Sequence, residues 1–219
     1  MSKKALIISL AALGLIIVLG IILLSFCRHT SSERPEDCYA GNVPTVHSAV
    51  DRDGDGIDDQ ADILAGALAY VATEPQYKSK YYEGGYPDDG YGVCTDVVAQ
   101  ALLAAGYDLQ QLVDEDIQKR PAAYDIAEPD SNIDFRRVSN LKVFFAACAI
   151  ELTNDISAVE QWQGGDIVIF EKHIGIISDR RNAEGIPYVI HHNSSKQRSY
   201  EQDILASRKD IAAHYRFTQ

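Results

Sequence analysis

Residues 90–106 read GYGVCTDVVAQALLAAG, and Cys94 stands at the start of the apolar helical pattern in this stretch. Gly90 and Gly92 break the chain just before the cysteine, and Gly106 is a helix stop signal. A side chain in the first turn of a helix faces unpaired backbone N–H groups and the positive end of the helix dipole. Both favour the thiolate, which is the reactive form of cysteine. The sequence therefore predicts a nucleophile at Cys94.

Further elements follow on both sides of this helix. Apolar spacing predicts helices over 63–72 and 109–119, and a third over 141–150 behind a cap at Ser139 or Asn140. Residues 120–137 carry few periodic signals and are predicted to form a long loop.

After the helices the hydrophobic period changes to that of β-strands. The predicted strands are 166–170, 173–178, 188–192 and 214–217, with a hairpin connection over 179–186. Helices followed by antiparallel strands predict an α+β fold, in which the N-terminal helices pack on an antiparallel sheet.

Two histidines lie where they could serve a nucleophile. His173 opens the second predicted strand, and His191 lies near the end of the third. If these strands pair across the hairpin, the two rings meet, and His173 can act as base while His191 orients it. Adjacent strand residues point to opposite faces, so only one of His191 and His192 can join such a site. Each of these residues could instead be an ordinary core residue, as Cys148 is predicted to be.

Several motifs carry a resemblance to a known family. They are CTDVV at 94–98, NIDFRRV at 132–138, WQGGDIV at 162–168, HIGIISD at 173–179, VIH at 189–191 and HYR at 214–216. Together they resemble a bacterial family filed as domain of unknown function 1287, over a region from about Asp51 to the C-terminus. That family looks like a branch of the NlpC-type, papain-like cysteine peptidases.

The resemblance implies a papain-like core and a catalytic triad. In such enzymes a cysteine starts a helix, a histidine starts a strand, and a polar residue on the next strand completes the set. This assigns Cys94, His173 and His191, with Asn193 and Asp179 as competing third members.

The resemblance also implies a tyrosine that stabilises the oxyanion. It lies upstream of the nucleophile and ahead of a Gly-Gly pair, so Tyr82 or Tyr81 fills this role here. Its hydroxyl would donate to the oxyanion beside the backbone N–H of Cys94.

The sequence departs from the wider superfamily next to the nucleophile. The superfamily has D-C-S-G, whereas this chain has VCTD at 93–96. Asp96 is either a first-turn acid favoured by the helix dipole or a substrate contact. Arg137 either holds a substrate carboxylate or takes part in structural ion pairs with Asp134 and Arg136.

Residues 51–62 read DRDGDGIDDQAD and have the length of a calcium loop. The first nine of them, 51–59, match the residue types of its first nine positions. The candidate ligands are Asp51, Asp53, Asp55, Ile57 through its carbonyl, Asp59 and Asp62. The twelfth position holds Asp62 instead of the longer glutamate. The sequence predicts a structural Ca²⁺ that fastens the following helix, and a solvated acidic turn is the alternative.

The N-terminus carries a membrane signal. Residues 5–26 are uncharged and apolar or small, and they follow Lys3 and Lys4. This pattern predicts either a single transmembrane anchor over 1–27 with the rest exported, or a cleaved signal segment. A polar linker is predicted over 28–46 and the hydrolase domain over 47–219. Cys27 and Cys38 could pair outside the membrane.

Composition narrows the function further. The formal net charge of −12 argues against nucleic-acid binding. The combined expectation is an exported, membrane-anchored cysteine hydrolase that cleaves cell-wall peptides through a thioester and needs no organic cofactor. A non-catalytic, calcium-stabilised binding module is the alternative. A zinc hydrolase using His173 and His191 is disfavoured, because the sequence lacks a closely spaced pair of metal ligands.

Overall fold

The computed structural model describes residues 13–20 and 30–218. The predicted apolar span over 5–26 lies largely outside these residues, as does Cys27, and residues 13–20 are helical. Within the two described ranges, every helix is too short or too polar to cross a bilayer.

Five α-helices form the N-terminal half of the described domain. A 3₁₀ turn at Pro121–Ala123 lies among them, and a second one at Val159–Gln161 follows them. The α-helices are α1 (Asp59–Ala72), α2 (Cys94–Ala104), α3 (Leu109–Lys119), α4 (Ser131–Asp134) and α5 (Val138–Cys148). The predicted helix start at Cys94 is confirmed, and α3 has the predicted bounds. α1 begins earlier than predicted, because the Asp58 side chain caps it by accepting from the Ala61 N–H.

Two predictions in the middle of the chain were wrong in detail. The predicted loop over 120–137 contains α4, which Asp130 caps by accepting from the Asn132 N–H. Helix α5 begins at Val138 without a side-chain cap, so neither Ser139 nor Asn140 caps it. The Asn140 amide instead donates to the Asp134 carbonyl at 3.0 Å.

The sheet confirms the α+β prediction. Its strands are β3 (Ile150–Glu151), β4 (Ile167–Phe170), β5 (Ile174–Arg181), β6 (Pro187–Ile190), β7 (Glu201–Gln202) and β8 (Ile211–Arg216). They are antiparallel in the order β3-β8-β4-β5-β6-β7. A separate parallel pair joins β1 (Gln76–Tyr77) to β2 (Tyr91–Gly92).

Strand β4 has apolar side chains on both of its faces, because a cluster of buried residues covers each face. Ile167 and Ile169 of β4 belong to the main core, which the helices cover. Val168 and Phe170 alternate with them and pack on the other face, against a smaller cluster that contains Trp162. This two-sided burial is the reason β4 reads as a continuous apolar run.

The segment that begins at residue 30 is packed against the sheet, although a polar linker was predicted there. Ser31 pairs with Ser199 beside β7, and the Thr30 hydroxyl donates to the Gln197 carbonyl at 3.0 Å. Arg34 forms ion pairs with Glu201 and Asp179. These contacts make residues 30–34 part of the domain.

Candidate active site

Cys94 is the first residue of α2, and a close approach of the chain sets this helix start. A Cβ at Gly92 would lie 2.1 Å from the hydroxyl oxygen of Tyr70, so any other residue there requires Tyr70 to move. The Asp96 carboxylate accepts from the Val93 N–H at 2.8 Å, which closes the first turn. The cysteine therefore sits at a well-defined helix N-terminus.

The two predicted histidines meet, as the hairpin argument requires. His173 Nε2 and His191 Nδ1 are 2.8 Å apart and hydrogen-bonded, and both side chains are buried. The turn from β4 to β5 holds His173, whose carbonyl accepts from the Phe170 N–H at 2.8 Å. The backbone N–H of His191 donates to the Tyr200 carbonyl at 2.9 Å.

The sulfur of Cys94 lies against the start of β5, but its environment differs from the expected one. Burial raises the pKa of the Cys94 thiol to about 11. The backbone N–H groups of Ile174, Thr95 and Cys94 itself oppose this rise, but burial dominates. The helix-start argument weighed the helix dipole without the loss of solvent, which acts on the thiol in the opposite direction.

Burial also keeps both histidines neutral. It lowers the pKa of His173 to about 4, with a further contribution from Arg208, and lowers that of His191 to about 3. Among the described residues, no direct hydrogen bond joins the Cys94 sulfur to the His173 ring. The resting site thus combines a neutral thiol, which lies against the Ile174 N–H, with a neutral histidine pair that includes the preceding residue.

The competing third members lie elsewhere. Asn193 is exposed, and its backbone N–H donates to the Gln197 side chain at 2.5 Å. Asp179 is exposed and pairs with Arg34. Of the three candidates, His191 is the one hydrogen-bonded to His173.

An aromatic residue near the sulfur, Tyr77, was missed from sequence. Burial, followed by the nearby Cys94 sulfur, raises the pKa of Tyr77. The Tyr77 ring packs edge-on against His192, with ring centres 5.2 Å apart. Tyr77 reaches this position because β1 pairs with β2, bringing Tyr77 opposite Gly92. A parallel pair of two-residue strands leaves no periodic signal in the sequence.

The predicted oxyanion tyrosines have other partners. The Tyr82 hydroxyl donates to Asp89 at 2.7 Å, and burial, followed by this hydrogen bond, raises the pKa of Tyr82 to about 12. Tyr81 is exposed, and its hydroxyl accepts from the Asn132 amide at 3.1 Å. Tyr77 is the tyrosine that the Cys94 sulfur affects directly.

Asp96 and Arg137 take part in ion pairs. Asp96 is fully buried and pairs with Arg136, with Nε to Oδ1 at 2.6 Å. Arg137 is half-exposed and pairs with Asp134 at 3.1 Å. The sequence analysis placed Arg136 in a local group of ion pairs with Asp134 and Arg137. Its partner is instead Asp96, which lies in α2.

The WQGGDIV motif has a structural explanation. Asp166 is fully buried and accepts from Arg216 at 2.8 and 2.9 Å and from the Gln60 amide at 2.9 Å. His214 Nε2 lies 3.1 Å from the same carboxylate, and its Nδ1 bonds the Thr153 carbonyl. This network joins α1 to the sheet that carries His173.

The acidic loop at 51–58 precedes α1. The carboxylates of Asp51, Asp53 and Asp55 lie within 4.8 Å of one another and are exposed. The Asp59 side chain turns away to Tyr107 and to the Arg52 N–H. Asp62 is buried, which together with repulsion from the loop raises its pKa to about 6.

Comparison with known proteins assigns the chain to a family. A family model described as a domain of unknown function, DUF1287, matches residues 64–217. The chain belongs to the DUF1287 family. It is 37% identical over 154 residues to the uncharacterized protein YijF of Escherichia coli (strain K12), a match that covers 66% of this chain and 73% of that protein. No solved structure matches the chain.

The DUF1287 region includes the three residues of the candidate site. Cys94, His173 and His191 lie within residues 64–217, whereas the acidic loop precedes them. The resemblance to the DUF1287 family that the motifs indicated is thereby confirmed.

Proposed function

We propose that this protein is an exported cysteine hydrolase that cleaves an amide or peptide bond through a thioester. The observation that carries the proposal is the buried hydrogen bond between His173 and His191, together with a cysteine sulfur at a helix N-terminus that the backbone N–H of Ile174, the residue after His173, also reaches. Histidine pairs of this kind orient a base toward a nucleophile. The motif resemblance to NlpC-type, papain-like peptidases supports the same reaction.

The hydrogen bond indicates how the protons are arranged. If the Nε2–H of His173 donates to His191 Nδ1, the Nδ1 of His173 keeps a lone pair that can accept the thiol proton. His191 then carries its own proton on Nε2, an atom without a hydrogen-bond partner among the described residues. The nearby Gln202 side chain slightly opposes the low pKa of His191. His191 is therefore proposed as the residue that fixes the His173 tautomer.

The reaction then follows from these positions. Cys94 gives its proton to His173 as the sulfur attacks the amide carbon, forming a C–S bond and an oxyanion. The first-turn N–H groups of Cys94 and Thr95, which lie at the sulfur, are proposed to donate to this charge, with Tyr77 within electrostatic range of the sulfur. The C–N bond breaks as His173 protonates the leaving amine. Water, deprotonated by His173, hydrolyses the thioester and restores the thiol.

The substrate class and location come from the sequence. The apolar span after Lys3 and Lys4 supports export, with the domain anchored outside the membrane or secreted after signal cleavage. The superfamily resemblance favours a cell-wall peptide as the substrate. The ion-paired Arg137 remains half-exposed and is proposed as a contact for a substrate carboxylate.

The decisive experiment compares two cysteine variants. The full chain, Cys94→Ala and Cys148→Ala are each incubated with peptidoglycan fragments and with a peptidyl acyloxymethyl ketone, a probe that alkylates catalytic cysteines. We expect fragment cleavage and probe labelling in the wild type and in Cys148→Ala, and neither in Cys94→Ala. Cleavage that persists in Cys94→Ala would refute the proposal. Failure of both readouts in the wild type would favour a non-catalytic binding module.

A further inference from the structure

The acidic loop at 51–58 holds three exposed carboxylates close together. Asp51, Asp53 and Asp55 lie within 4.8 Å of one another. The Asp51 carboxylate accepts from the N–H groups of Gly54 at 2.8 Å and Gly56 at 3.0 Å, which closes the loop. Gly56 has φ of +94°, a conformation that favours glycine. The fold therefore keeps three like charges close together against their mutual repulsion.

A fourth carboxylate faces this cluster from the first turn of α1. Asp62 has only 8% of its surface exposed, and its Oδ2 has no hydrogen-bond partner among the described residues. It lies within electrostatic range of Asp51, Asp53 and Asp55. An unpartnered buried carboxylate is costly, so this side chain favours a cation as its partner.

Asp59, which was predicted to be a ligand, is fully buried, and its carboxylate lies outside the cluster of three. Its Oδ1 accepts from the Arg52 N–H at 2.8 Å, and its Oδ2 accepts from the Tyr107 hydroxyl. We therefore leave it out of the ligand set. Its hydrogen bonds instead attach the loop and the start of α1 to the chain that follows α2.

We propose that Asp51, Asp53, Asp55 and Asp62, with the Ile57 backbone carbonyl, bind one Ca²⁺ ion. Their positions in the loop are 1, 3, 5, 12 and 7 of a calcium loop. All of the ligands are oxygen atoms, which suits a hard cation and not zinc, whose structural sites use nitrogen and sulfur. The site lies ahead of residues 64–217, so the family match does not account for it.

Bound calcium would connect the loop to α1 and thereby to α2. A Cβ at Gly106, just past the end of α2, would lie 3.2 Å from both Arg52 and Asp53, so the loop packs closely on this turn. The Arg52 guanidinium also lies over the Tyr107 ring, 5.2 Å from its centre. The ion would thus stabilise the packing between the first two helices. This role is independent of the proposed hydrolase activity.

The test measures binding and thermal stability in the full chain, freed of metal with a chelator. Because Asp62 is shorter than the usual glutamate, we expect a Kd on the order of 10⁻⁴ M, as in extracellular calcium modules. Calorimetric titration with CaCl₂ should show one bound ion per chain. At 10 mM CaCl₂ the Tm should rise by about 5 °C, from ligand linkage. MgCl₂ at the same concentration should give less than half of this shift.

Two variants and one control make the result specific. Asp55→Asn is exposed, so it should fold normally and lose at least about 10-fold in Ca²⁺ affinity, as should Asp62→Asn. Asp125→Asn changes an exposed acid outside the loop and should keep the full shift. The proposal is overturned if Ca²⁺ does not change the wild-type Tm, if Mg²⁺ acts equally, or if Asp55→Asn responds like the wild type.

Discussion

Arg136 and Asp96 form a bidentate ion pair at the start of the Cys94 helix. Nε lies 2.6 Å from Oδ1 and the second guanidinium nitrogen 2.9 Å from Oδ2, and both side chains are almost completely buried. Arg136 also donates to the Lys80 carbonyl at 2.7 Å. The pair therefore ties α2 to the loop before it and to the segment between α4 and α5.

Removing Arg136 should destabilise the domain strongly. Arg136→Ala leaves the Asp96 carboxylate buried without its partner, so we expect a loss of about 3–5 kcal/mol in the free energy of unfolding. Urea unfolding followed by circular dichroism measures this loss. The neighbouring Arg137→Ala is the matched control and should cost under about 1 kcal/mol, because Arg137 is half-exposed. Equal losses in the two variants would contradict this reading of the pair.

Gly92 should tolerate alanine only when Tyr70 is changed as well. The methyl carbon of an alanine at this position would lie 2.1 Å from the Tyr70 hydroxyl oxygen, whereas the nearest ring carbon of Tyr70 would be 3.4 Å away. We expect Gly92→Ala to cost about 1–3 kcal/mol through overpacking. Tyr70→Phe removes the clashing oxygen, which has no hydrogen-bond partner among the described residues. Urea unfolding of the double variant should recover most of the loss, and an additive loss would argue against the clash.

Local patterns predicted the parts of the site that depend on neighbouring residues. The helix start at Cys94 followed from glycines and periodicity, and the meeting of His173 with His191 followed from one hairpin. Both features are set within a few residues of the chain or by one turn. They could therefore be predicted from the sequence alone.

Features that depend on distant segments could not be predicted in this way. Arg136 and Asp96 are 40 residues apart in the chain, and the sequence around each residue does not indicate that they form a pair. Residues 30–34 look like a polar linker but pair with the chain beside β7. The raised pKa of Cys94 depends on how much solvent the assembled fold removes, which a helix-start pattern does not report.

His191 should affect catalysis through its hydrogen bond to His173. We expect His191→Ala to lower kcat on the substrate of the Cys94 reaction by roughly 10²-fold, because the His173 tautomer is no longer fixed. His191→Asn should recover part of the rate, since its amide oxygen can accept the same hydrogen bond. Steady-state kinetics, with thermal unfolding as a check on folding, compares the variants. Equal rates in both variants would show that hydrogen-bond acceptance at this position is unimportant.

The domain should lose stability in mild acid because its buried histidines resist protonation. Burial lowers the pKa of His192 to about 4, as it does that of His173, whereas the unfolded chain binds these protons near pH 6.5. The lowered pKa contributes stability that is complete above pH 6.5 and is lost as pH falls toward 4.

His192→Phe tests this pH dependence directly. It keeps an aromatic ring between Tyr77 and Tyr200 but cannot be protonated. Both proteins should lose stability between pH 7 and 4. The loss in the free energy of unfolding should be smaller in the variant than in the wild type, by up to about 3 kcal/mol. Urea unfolding at several pH values measures both slopes, and parallel slopes would exclude His192 as a source of the acid sensitivity.

Cys94 in the resting protein should react slowly with iodoacetamide at neutral pH. A pKa of about 11 leaves a thiolate fraction about 10²-fold below that of an ordinary thiol at pH 7. Its alkylation rate should therefore still be rising between pH 8 and 10, and His173→Ala should change it little. Peptide mass spectrometry follows Cys94 beside the exposed Cys38, which serves as an internal reference. A rate that is already constant above pH 6 and collapses in His173→Ala would instead demonstrate a thiolate–imidazolium pair, and would mean that the helix N-terminus outweighs burial at this sulfur.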